Sequence, residues 1–166
     1  MTLQYATSEE ELVKGVINGG TNLVVLSEPW VSDLLNKRSD FKITVNIQDE
    51  WTKVVRKDKP LPQTCLIVKN DIASQKDEAW NMFLKDYKDS IKWVNNNQAK
   101  TAELLEHHEV GVQKELAEKV ISRSNLEYFD ATSAQSAVET YLNIFLETSP
   151  ESIGGKLPNA AFYYEE

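Results

Sequence analysis

Asn22-Leu-Val-Val-Leu-Ser-Glu-Pro-Trp30 is the stretch on which the reading of the fold turns. The apolar run Leu23–Leu26 is too short for a helix and predicts a compact strand. Ser27-Glu-Pro-Trp30 then predicts a helix start, because proline is tolerated in a first turn whose N–H groups lack helical partners. Upstream, Asn18-Gly-Gly20 predicts the end of an earlier helix, glycine supplying a left-handed cap. That helix carries Leu12, Val13, Val16 and Ile17, and the S-x-x-E pair Ser8 and Glu11 predicts a capping box at its start. Leu3–Ala6 predicts a short strand before it. Strand, helix, strand, helix at these lengths predicts a βαβα unit with parallel strands.

The carboxyl ends of parallel strands, facing helix N-termini, form the usual ligand crevice of open α/β sheets. Ser27, Glu28 and Trp30 stand at such a place, offering a hydroxyl, a carboxylate and a flat ring. Thr7 and Ser8, at the preceding turn, are candidates of the same kind. The plain alternative is helix capping plus a core tryptophan.

Downstream, Phe41–Ile47 alternates in the strand manner, and an amphipathic turn is expected at Asp49–Val55. The loop Lys57–Pro62 leads to a strand at Thr64–Val68, where Cys65 is expected as a buried small hydrophobe. The remainder predicts helices over Gln75–Asn95, Ala99–His107 and Val112–Ser122, with one possible strand at Asn125–Phe129. Trp80, Phe83, Leu84, Tyr87, Ile91 and Val94 form one stripe of the first of these, with Ser74 and Asp77 as its capping pair. Asp130 is expected to cap a long helix that Pro150 ends. The tail from Ser152 to Tyr164 fits neither period and should be held by its aromatic side chains. These changes predict a piece formed by residues 3–38, separate from a body formed by residues 60–166.

Composition narrows the function. The chain has 166 residues, 41% hydrophobic and 27% charged, with a net charge of −8. No basic cluster marks a nucleic-acid footprint. No apolar run approaches the roughly 18 residues of a membrane span. Met1-Thr-Leu-Gln-Tyr5 shows no export signal. His107 and His108 are adjacent rather than i, i+4, so they do not converge on a metal. No phosphate loop, serine-nucleophile signature or other catalytic constellation stands out, so no catalysis, cofactor or metal is expected.

Further motifs carry a family resemblance. Gly19-Gly-Thr-Asn-Leu-Val-Val-Leu-Ser-Glu-Pro-Trp30 is similar to a "G-x-x-D-x-A-V-L-x-E-P" segment, with Asn22 where aspartate is common. Asp49-Glu-Trp51, Leu61–Lys69 and Tyr87–Asn95 follow in the matching order, and Ile153-Gly-Gly-Lys-Leu-Pro158 with Phe162-Tyr-Tyr164 resembles the ending. The chain thus resembles the C-terminal half of ABC transporter substrate-binding proteins of the nitrate/sulfonate/thiamine-precursor group. The resemblance implies an incomplete α/β fold, periplasmic-binding-protein-like (type 2). Residues 1–40 would be a partial second lobe, 41–60 the crossover and hinge, and 61–166 the mostly helical C-terminal part of the first lobe.

It further implies a solute-binding component of an ABC-type importer, closing on a small organic solute or anion about Val45–Asp49, with an ABC permease as partner. The complete receptor would be extracytoplasmic, periplasmic or lipid-anchored. This chain would be a fragment, a truncated reading frame or one piece of a split receptor. An effector-sensing domain of a transcription regulator, or an enzyme of thiamine-pyrimidine synthesis, would share the fold. With part of the cleft missing, weak solute binding is expected, and open strand edges predict a homo-oligomer, possibly domain-swapped.

Overall fold

The structure, a computed structural model, describes residues 2–55, 59–75 and 78–165. Among these, the regular elements are α-helices α1 (Glu9–Ile17), α2 (Trp30–Lys37), α3 (Ile47–Val54), α4 (Asn70–Gln75), α5 (Glu78–Asn96), α6 (Gln98–His107), α7 (Lys114–Arg123) and α8 (Ala131–Thr148). Short 3₁₀ turns follow at Pro150–Ile153 and Ala160–Phe162. No strand or sheet occurs among the described residues, which overturns the expected α/β, periplasmic-binding-protein-like class. The reason is that a strand exists only through its neighbour. The segments at residues 3–6, 22–26, 41–46 and 64–68 are non-helical, as their composition dictates, but no two of them pair. Cys65, expected in a buried strand, is exposed for the same reason.

The helix signals fared differently, because a helix satisfies its own backbone. Ser8 caps α1, its Oγ accepting from the Glu11 N–H at 3.2 Å. Glu11 reaches past the cap residue, its carboxylate accepting from the Thr7 N–H at 3.0 Å and the Thr7 hydroxyl at 2.7 Å. Those bonds hold the Glu11 carboxyl below the usual carboxylate range. Asp130 caps α8, accepting from the Ser133 N–H and hydroxyl, each at 2.7 Å. Asn46 starts α3 two residues earlier than the Asp49 turn by accepting from the Gln48 N–H. The proposed Asp77 cap lies outside the described residues, while Ser74 sits within α4.

The chain divides into two compact units. The first comprises Met1–Ile43 with Asp89–Glu127, and the second Thr44–Lys88 with Tyr128–Glu166. In the first, α1 packs on α2, α2 on α7, and α6 on α7. Val13, Val16 and Leu34 form its buried nucleus, flanked by Val24, Leu26, Trp30 and Phe41. Arg38 closes the end of α1, donating to the Val16 carbonyl at 3.0 Å and lying over the Phe41 ring. Leu116, Ala117, Val120 and Ile121 of α7 are buried in the same unit, as are Ala102 and the polar Thr101 of α6.

The second unit is built on rings. Trp51 of α3 meets Tyr141 of α8 edge-on, and Tyr141 meets Phe145. The Trp51 indole donates to the Lys59 carbonyl at 2.9 Å, and Lys59 donates to Thr140 at 3.0 Å. Trp80, Phe83 and Tyr87 stack along α5, while Tyr128 stands against Tyr87. The tail docks here: Tyr163 is buried and Tyr164 stands edge-on to Trp80. Consecutive left-handed residues Gly154 and Gly155, at φ 70° and 73°, turn the chain after α8.

Candidate functional site

The five residues singled out as binding candidates all lie in the first unit. Two strand-to-helix turns were expected there, and the structure joins them through Glu9, the first residue of α1. Its carboxylate accepts from the Ser27 N–H at 2.6 Å and from the Ser27 hydroxyl at 2.8 Å. A carboxylate holding both a backbone and a side-chain donor fixes the approach to α2. Thr7 and Ser8 complete the same corner, engaged with Glu11.

Glu28 turns inward. The Glu28–Pro29 peptide is cis. The Glu28 carboxylate accepts from the Ser32 N–H at 3.2 Å and from the Ser32 hydroxyl at 3.1 Å. Arg123 of α7 approaches it at 3.7 Å and donates to Ser32 Oγ at 3.1 Å. The Glu28 side chain is only 8% exposed, so its charge is shared within a Glu28–Ser32–Arg123 group rather than offered to solvent. Trp30 packs on the Val13–Val16–Leu34 nucleus. Each candidate therefore has an intramolecular partner, the arrangement that capping plus a core tryptophan predicts.

Beside this group is a polar recess of about 140 Å³ lined by Ser32, Leu35, Asn36, Leu116, Lys119 and Arg123. Lys119 and Arg123, four residues apart on α7, bring two cationic groups to one helix face. Sequence reasoning did not single out Asn36, Lys119 or Arg123. The i, i+4 spacing was visible, but the packing of α7 on α2 that gives it a wall was not. A wider groove of about 460 Å³ runs along Trp93, Lys100, Glu103, Leu104 and His107. His107 and His108 stand edge to face, and no cluster of potential metal ligands occurs among the described residues.

No family model matches the chain, and no curated protein matches it. A crystal structure of an ABC transporter from Parabacteroides distasonis is similar to it, with a TM-score of 0.81 and 27% identity over 97% of this chain. The chain has an ABC-transporter-related fold. It spans 55% of that neighbour's length. Among the described residues, no helix is long and apolar enough to cross a membrane.

Proposed function

We propose that this chain is part of the solute-binding component of an ABC-type importer, taking a small organic solute or anion without making or breaking a covalent bond. The observation that carries the reading is the likeness to the ABC transporter of P. distasonis across nearly the whole chain. The order of motifs from Gly19 to Tyr164 supports it independently. An extracytoplasmic place and an ABC permease partner belong to the same proposal.

Ser27, Glu28, Trp30, Thr7 and Ser8 are the proposed contact corner, which a solute engages by competing with their intramolecular partners, and Lys119 on the wall of the adjoining recess supplies a cationic donor for an anionic solute. The test is a two-dimensional NMR titration with millimolar nitrate, alkylsulfonates and thiamine-pyrimidine precursors. At least one class should shift the amides of Ser27 and Glu28 and the Trp30 indole, leaving α8 unmoved. If no class moves these signals, the reading fails.

A further inference from the structure

The recess between α2 and α7 holds more hydrogen-bond donors than its own residues use. Arg123 presents its N–H groups in a planar fork. Its Nη1 donates to Ser32 Oγ at 3.1 Å, and its approach to the Glu28 carboxylate, at 3.7 Å, is an ion pair beyond hydrogen-bond distance. Among the described residues Nε and Nη2 have no partner. Lys119, one turn earlier on the same helix face, makes no ion pair or side-chain hydrogen bond among them, although Glu115 stands one turn before it. The Asn36 side-chain amide, on the α2 wall, is likewise unengaged.

Burial holds one part of this group rigid and leaves the other free. Ser32 is 2% exposed, and its hydroxyl is committed, donating to Glu28 and accepting from Arg123. Arg123 therefore has a structural task, as the counterion of a carboxylate that is itself buried. Lys119 has none. Like charges four residues apart weaken a helix slightly, so nothing in α7 itself favours this pair. Against the two cations the group sets one carboxylate, Glu28, and Asp33 of α2 is already paired with Lys37. One positive charge is left uncompensated, in a chain whose net charge is −8.

Volume sets the size of what fits. About 140 Å³ is several times the share of one water in the liquid, roughly 30 Å³. It is less than half of the roughly 300 Å³ at which pockets for organic ligands begin. We propose that this recess binds a small oxoanion, sulfate, phosphate or a terminal sulfonate, between the Arg123 fork and the Lys119 ammonium. The free Nε and Nη2 edge matches two oxygens of such a group, and the ammonium acts as a point charge on a third. A free ion and the anionic end of a larger solute share this chemistry.

The experiment titrates sulfate into the 166-residue chain at constant ionic strength, chloride making up the balance, and follows it by two-dimensional NMR. Sulfate should give saturating shifts at the Ser32 and Asn36 amides and the Arg123 Nε–H, and none in α8. Lys119→Gln, at an exposed position, should keep the rest of the spectrum and weaken binding at least about threefold. Lys119→Glu should abolish saturable binding. Propanesulfonate separates the two sources. A free-ion site takes it no more tightly than sulfate, whereas a site for the anionic end of a solute takes it more tightly and also moves the Trp30 indole. Shifts that grow with sulfate without saturating, or that survive Lys119→Glu, overturn the proposal. Sulfate has no organic part, so that result leaves standing the solute reading, which is tested at Ser27, Glu28 and Trp30.

Discussion

The two units hold themselves together by different means. The first buries Val13, Val16, Leu34, Leu116, Ala117, Val120 and Ile121, aliphatic side chains that interlock between helices. In the second, only Ala137 and Tyr163 are buried among the described hydrophobic residues; α3 and α8 meet through the Trp51 and Tyr141 rings, and half-exposed rings stack along α5. The unpartnered buried polar atoms found among the described residues, Gln48 Oε1, Trp80 Nε1, Tyr163 OH and Tyr164 OH, all belong to the second unit. Aliphatic groups fill space without a polar remainder. Rings bring large contact areas but also an N–H or O–H that needs a partner. The first unit therefore has tight packing, and the second has area at the cost of unsatisfied groups.

The largest expected effect tests that contrast directly. Leu34→Ala removes a buried side chain from the aliphatic nucleus and should cost about 3 kcal/mol in urea unfolding. Phe83→Ala, on the half-exposed ring stack, should cost only about 1 kcal/mol. Equal losses would break the comparison, because they would mean that the ring stack is packed as firmly as the nucleus.

A middle-sized effect shows where the units do not differ. Ser8→Ala in the first unit and Asp130→Ala in the second each remove a cap and should each cost about 1 kcal/mol at neutral pH. Acid separates them. Hydrogen bonds from the Ser133 N–H and hydroxyl hold the Asp130 carboxyl below its ordinary value. Its stabilisation is therefore present above the unfolded value, about 3.9, and disappears as pH falls through the lower folded value. The gap between the parent and Asp130→Ala should close in that window, while the gap for Ser8→Ala, whose hydroxyl does not titrate, should not. Denaturation midpoints from pH 7 down to the acid limit of folding provide the check.

The smallest effect has the opposite sign. Tyr163 is buried, and burial, followed by the nearby Glu139 charge, raises its phenol above the ordinary value. Its hydroxyl has no hydrogen-bond partner among the described residues. Tyr163→Phe should be neutral or stabilising by up to about 1 kcal/mol. A loss of that size instead would show that the hydroxyl is satisfied, sharpening the contrast into one of packing alone.

The helices were legible because their signals are local. Ser8, Asn18 and Asp130 act within a turn of their own positions, and the stripe from Trp80 to Val94 recurs at the helical period. The non-helical character of residues 22–26 and 64–68 was legible too, since short apolar runs with flanking breakers cannot hold a helix. Whether such runs become strands was not, because pairing depends on a neighbour that no local residue specifies. The grouping of residues 1–43 with 89–127 was likewise hidden, since it rests on the packing of α2 against α7. The candidate corner shows the same division. Sequence located Ser27, Glu28 and Trp30 at a turn, but only the tertiary structure gave Ser27 to Glu9, Glu28 to Ser32 and Arg123, and Trp30 to the nucleus. The sequence alone determined backbone conformation wherever a segment satisfies itself, while the tertiary structure decided the partners of every group that must be satisfied from elsewhere in the chain.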